Sequence, residues 1–203
     1  MYSNLIDLNE FVNQCGENYC IVKRSDSFPN YKSYSDIDIL CSNKEYLLER
    51  TLLFLSEYKH LSPKVNFLVN GYQLHIDVFN SNSDLLDLKF DIFDSVKIFQ
   101  KVRVKEDFKD YCLGTKVHDG ISFIPSLNCE MVIRMLDYRE NISLRKDKIK
   151  HLHFVQRHNE NYMDFLEIWN EFVEEKLSLE DLTNIGKQSK IEMFFQAIWK
   201  IFR

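Results

Sequence analysis

A chain of 203 residues with 45% hydrophobic content is long enough to bury a real core, as one full-sized domain or as a smaller domain with an appendage. Its net charge of -5, with Lys and Arg spread along the chain, argues against the broad basic face of a long-nucleic-acid binder and favours a small or saccharide-like partner. No run of eighteen apolar residues occurs, the start MYSNLIDLNEF lacks the features of a signal peptide, and the five cysteines form neither a C-x-x-C pair nor a zinc spacing, so a soluble cytoplasmic protein without a membrane span, disulfide framework or zinc site is expected.

Leu5, Leu8, Phe11 and Val12 recur at helical spacing and predict a short helix from Asn4 to about Gln14, closed by Cys15-Gly16. The compact apolar run NYCIVKR, Asn18 to Arg24, suits a buried strand, and Asp26 to Ser33, with Pro29, Asn30 and several serines, reads as a loop. SDIDILC then supplies a second strand, after which Asn43 can cap a helix carrying Leu47, Leu48, Leu52, Phe54 and Leu55 to about Tyr58. Val65 to Val69 and Tyr72 to Phe79 are two further strand candidates, joined at Asn70-Gly71, the pair that most favours a two-residue hairpin turn. LDLKFDIF, Leu86 to Phe93, alternates as another strand, whereas Lys97 to Val117 shows no clear period. From Ser126 onward apolar residues fall at helical spacing: Met131, Val132, Met135 and Leu136; Phe165, Ile168, Trp169 and Phe172; then Ile191, Phe194, Phe195 and Ile198. Trp169, Phe172 and Trp199 sit in these stripes as packing residues.

The expected fold is therefore α+β: an N-terminal mixed sheet with flanking helices over residues 1–120, and a C-terminal helical lobe over 121–203. A cleft between two such lobes is a common place for a small-molecule site.

Residues two apart on a strand share a face, so Asp36 and Asp38 point together while Ile37 and Ile39 face the apolar side. Two like charges at close range repel, and a divalent cation relieves the repulsion while offering a seat for phosphate oxygens; carboxylate donors suit Mg²⁺ or Mn²⁺. In QLHIDVF the same phase groups Gln73, His75 and Asp77 against Leu74, Ile76 and Val78. If the two strands are neighbours, Asp77 joins Asp36 and Asp38 with carboxylate oxygens about 3.5 to 6 Å apart, a set able to hold two metals. Asp91 and Asp94 are its rivals for the third carboxylate. D-x-D alone reads better as an ordinary strand end with solvated acids; the succession of strand, Ser-bearing loop, SDIDIL, helix, Asn-Gly hairpin and apolar strand with one embedded Asp is what favours a site.

The stretch from Tyr19 to Phe79 resembles the catalytic core of the DNA polymerase β-type nucleotidyltransferases, in particular their bacterial small-substrate branch. In that family a strand leads into a Gly-Ser turn that holds a triphosphate, a D-h-D-h strand binds two magnesium ions, and a third Asp on a later strand completes the site. The resemblance implies that Asp36, Asp38 and Asp77 are catalytic metal ligands for Mg²⁺ or Mn²⁺. It implies an NTP donor whose nucleoside monophosphate passes to a hydroxyl or phosphate acceptor, a small molecule or saccharide. The sequence departs from the pattern at the first turn, where Lys23-Arg24-Ser25 stands in place of Gly-Ser; these residues are the candidates for meeting phosphate by charge and by a hydroxyl. The basic run from Arg139 to Arg157 offers Lys150 and His151 as further nucleotide-binding candidates, against the plainer reading of a solvated helix face. His75 is read first as a hydrogen-bonded structural histidine, otherwise as a group that tunes Asp77 or reaches substrate, and Tyr34 or Tyr72 could stack on a base. Two alternatives stay open: transfer of a phosphorylated group to a surface glycan on the same fold, and a catalytically decayed nucleotide-binding module.

Overall fold

The computed structural model describes residues 5–185, which form a mixed α+β structure. Ile191, Phe194, Phe195, Ile198 and Trp199 lie outside the described residues. Two compact units divide the chain: one runs to Ile98 and includes Glu106–Ser126, the other comprises Phe99–Lys105 and the residues from Leu127 onward.

The first unit is built on a five-stranded sheet of β1 (Tyr19–Val22), β2 (Ser35–Cys41), β3 (Leu61–Leu68), β4 (Gln73–Asn80) and β5 (Leu85–Phe93), in the spatial order β1-β2-β5-β4-β3. β2 and β5 are parallel; the other pairs are antiparallel. Helices α1 (Leu8–Gln14) and α2 (Lys44–Ser56) bury Leu8, Phe11, Val12, Leu47, Phe54 and Leu55 in one core cluster with Ile21, Ile37, Ile39, Leu74, Ile76, Val78, Leu88, Phe90 and Ile92 of the sheet. The Phe11 ring lies 4.7 Å from that of Phe90 and 5.5 Å from that of Phe54. Strict alternation thus works as expected: one apolar face packs, and every second residue is left on the other.

Both helix starts follow from their caps. Asp7 Oδ1 accepts from the amides of Asn9 and Glu10, so α1 begins at Leu8 rather than at Asn4, and Asn43 Oδ1 accepts from the Tyr46 amide to open α2. The β3–β4 hairpin exists, but its turn is longer than the two residues expected from Asn70-Gly71. The last pair in register is Leu68 with Gln73, and a 3₁₀ turn over Val69–Gly71 makes the connection, with positive φ at Val69 and Gly71. The unplaced stretch 97–117 contains α3 (Asp107–Gly114), which buries Phe108 and Cys112, and the short ribbon β6 (Val117–His118) with β7 (Phe123–Ile124) follows. This ribbon belongs with the sheet unit, which therefore extends to Ser126.

The second unit holds α4 (Leu127–Asn141), α5 (Ile149–Arg157) and α6 (Tyr162–Phe172). Met131, Val132, Met135, Leu136, Leu152, Val155, Phe165 and Trp169 are buried in it. Residues 103–105 join it through a bridge between Val104 and Val173 and a bond from the Lys105 amide to the Phe172 carbonyl. No helix of the described residues is long and apolar enough to cross a membrane.

Candidate functional site

The face of the sheet opposite α1 and α2 carries the chemistry. Register places Asp36 beside Lys89 and Lys89 beside Asp77, and one step along the strands it places Asp38 beside Asp91 and Asp91 beside His75. These side chains share a face because each alternates with a core residue: Ile37, Ile39, Phe90, Ile92, Leu74 and Ile76 are all buried on the other side.

The expectation that the strands of Asp38 and Asp77 are neighbours is corrected here. β5 lies between β2 and β4, and two strand spacings separate the acids by about 10 Å of backbone. Asp77 does emerge on the same face as Asp36 and Asp38, but its register partner is Lys89 and its Oδ2 accepts a bond of 3.4 Å from Asn66. The carboxylate in register with Asp38 is Asp91. A chain reading could not decide this, because the alternation of LDLKFDIF gives Asp91 the same phase as that of Asp77 and only strand order tells which of the two strands adjoins β2. Lys89 was missed altogether, although its place between Asp87 and Asp91 in that alternation marks it.

Asp91 is 8% exposed, Asp38 is half-buried, and Asp36 is open to solvent. Burial pushes the Asp91 carboxyl up to about 7, helped by the charges of Asp38 and Asp36 and opposed by Lys89 and Lys23. Burial, then the neighbouring Lys89, lowers the His75 imidazole below its usual value. Cations stand among the acids: Lys23 Nζ is 3.1 Å from Asp38 Oδ2, and Lys89 Nζ is 3.9 Å from Asp36 Oδ1 and 3.8 Å from Asp91 Oδ1. His75 Nε2 lies 3.3 Å from the same Asp91 oxygen without the alignment of a hydrogen bond, so both buried atoms lack a hydrogen-bond partner. As the side chains stand, no three His, Cys, Asp or Glu groups among the described residues are arranged to hold a metal ion. The donor chemistry nonetheless fits a divalent cation: hard oxygens, an excess of negative charge, and a buried carboxylate oxygen with no bond of its own.

Beside the acids, an open pocket is lined by Lys23, Arg24, Ser25, Ser27, Asn30, Asp36 and Asp38 together with the apolar Ile21, Phe28 and Ile37. Lys23 adopts φ 53°, the left-handed conformation that glycine takes without cost, at the turn where the resemblance expects Gly. Ser25 is exposed, and its Oγ is 2.9 Å from Ser27 Oγ. Arg24, by contrast, is engaged: it donates to Ser122 Oγ at 2.9 Å, pairs with Asp119, and covers the Phe28 ring. Partial desolvation pushes the Asp119 carboxyl up, but bonds from Arg24 and from the Ser122 and Ile121 amides outweigh it and hold the group at about 2. The loop is anchored below by Tyr31, whose hydroxyl donates to buried Asp87 at 2.7 Å and accepts from the Ile6 amide.

Lys150 and His151 belong to the helical unit. His151 is 3% exposed, with Nε2 3.2 Å from Asp137 and Nδ1 3.3 Å from the Arg134 guanidinium, so both ring nitrogens are occupied inside that unit. Lys150 is exposed. Tyr34 is exposed on the loop before β2, and Tyr72 lies under the Lys97 ammonium at 5.3 Å.

Comparison with protein-family models, with curated proteins and with solved structures yields no match to this chain.

Proposed function

We propose that the polar sheet face is the site of a metal-dependent nucleotidyltransferase, with Asp36, Asp38 and Asp91 as its carboxylates and the adjoining pocket as the seat of an NTP. The observation that carries this reading is the register of Asp38 with Asp91, which sets a buried carboxylate oxygen without a hydrogen bond beside the D-x-D pair and next to a pocket edged by Lys23 and Ser25. Asp91 replaces Asp77 in the third role because its strand adjoins β2.

Asp36 and Asp38 would hold Mg²⁺ or Mn²⁺, which when bound neutralises triphosphate charge and lowers the barrier to displacement at phosphorus. Lys23 meets phosphate oxygens by charge, and Ser25 donates its hydroxyl to them. The acceptor hydroxyl forms a bond to the α-phosphorus, the bond from that phosphorus to the bridging oxygen of pyrophosphate breaks, and Asp91 takes the acceptor's proton. Arg24, held by Asp119, positions the turn rather than the phosphates, and neither Lys150 nor His151 is needed.

Calorimetric titration with a panel of NTPs, with and without Mg²⁺, tests the reading. One NTP should bind only in the presence of metal, with D38N and D91N each losing the metal-dependent part by tenfold or more and D77N retaining it. Binding that ignores chelator and both substitutions would sink it. Lys23 and Lys89 among the acids also favour a second reading, a non-catalytic nucleotide-binding module in which ammonium groups replace the metals. Metal-independent NTP binding that is lost in K89M would select it.

A further inference from the structure

His75 faces Asp91 across the β4–β5 pair, directly in register, and the imidazole is held there because Leu74 and Ile76 on either side of it are locked in the core. Its Nε2 atom is buried without a hydrogen-bond partner, and so is Asp91 Oδ1, 3.3 Å away. An ordinary structural Asp–His pair aligns an N–H on the carboxylate and satisfies both groups. Here the two atoms lie 3.3 Å apart without making that bond. Their separation is the span that two ligands have when they share one cation: bonds of about 2.1 Å meeting at about 90 to 105° place donor atoms roughly 3.0 to 3.3 Å apart. The Lys89 ammonium lies 3.8 Å from the same oxygen and would give way to the ion.

We propose that His75 Nε2 and Asp91 Oδ1 are joint ligands of a divalent ion, so that the site carries an imidazole nitrogen in addition to its carboxylates and prefers a first-row transition ion such as Mn²⁺ to Mg²⁺. Imidazole suits transition metals, whereas Mg²⁺ is held by oxygen donors and water, and a nitrogen ligand therefore shifts the preference. The inference rests on the metal reading of Asp36, Asp38 and Asp91 and extends it to the identity of the ion.

The test uses the full chain, freed of metal by chelation and loaded with Mn²⁺ alone, and reads the electron spin-echo envelope modulation of the bound ion. Wild type should show modulation from a directly bound ¹⁴N, replaced by the ¹⁵N pattern when the protein is grown with ¹⁵N-histidine, a control that needs no substitution. H75Q should lose the nitrogen modulation and bind Mn²⁺ at least tenfold more weakly, with Mg²⁺ affinity changed less than about twofold. Stoichiometric Mn²⁺ that disappears in D38N but shows no histidine nitrogen in wild type overturns the role of His75 and leaves the carboxylate site standing. Nitrogen modulation that survives in H75Q also overturns it. A wild-type chain that holds no Mn²⁺ overturns both readings.

Discussion

Asp91 concentrates the electrostatic cost of the polar face in one side chain. Its carboxyl moves from an ordinary 3.8 to about 7 in the folded chain, first because it is buried and next because Asp38 stands beside it. A carboxyl raised in this way favours folding while protonated in both states, below pH 4, and that advantage is lost as pH rises through 7, where the folded chain must carry a buried charge. The metal-free protein should therefore lose stability through this group between about pH 4 and pH 7. D91N, which carries no charge at any pH, should melt higher than wild type at pH 8, by up to a few kcal/mol. The gap should close as the pH falls toward 4. Thermal melts in chelator across that range measure it, and a gap that stays constant with pH would show that Asp91 is not the titrating group.

Among the elements, α2 shows how a local signal and the tertiary core divide the work. Asn43 lies in extended backbone and its Oδ1 accepts the Tyr46 amide at 2.8 Å, which satisfies one of the donors a helix start leaves open. The rest of the helix is held by Leu47, Phe54 and Leu55 in the sheet core. N43A should cost about 1 kcal/mol in chemical denaturation, with an unchanged slope against denaturant. A loss of 3 kcal/mol or more would mean that Asn43 does more than cap. β3 makes the opposite point, for it forms an edge of the sheet and is exposed along almost its whole length, so no alternation of burial marks it. Pairing with β4, rather than burial, holds it in place.

Across the molecule, all five cysteines are buried thiols: Cys15, Cys20, Cys41 and Cys112 in the sheet unit and Cys129 in the helical unit. Burial is the main cause that pushes the Cys15 and Cys41 thiols up to about 12, so neither presents a thiolate at ordinary pH. The native protein at pH 8 should react with an aromatic disulfide reagent only at the rate at which it opens, and all five thiols should titrate in guanidinium chloride. Mass-resolved labelling at intermediate denaturant should modify the four sheet-unit cysteines as one group, with Cys129 following the opening of its own unit. Rapid reaction of any of them in native buffer would contradict the burial that the fold assigns to it.

The polar and apolar phases of SDIDILC, QLHIDVF and LDLKFDIF were legible in the chain, as were the Asn43 cap, the α+β class and the shift to helices after Ser126, because period, cap chemistry and turn residues are local properties. The length of the hairpin turn was not, since the 3₁₀ turn over Val69–Gly71 is compatible with the same Asn-Gly pair. Neither was the partner of the D-x-D pair. Asp77 and Asp91 both sit on alternating strands with the correct phase, and the choice between them depends on the parallel pairing that inserts β5 beside β2. The same holds for His151, whose place in a basic run suggests an anion and whose burial against Asp137 ties it to its own helices. Sequence alone determined which residues share a face. Only the tertiary structure decided which faces and strands stand side by side, because strand order is set by long-range packing of the sheet against α1 and α2, and no local pattern encodes it.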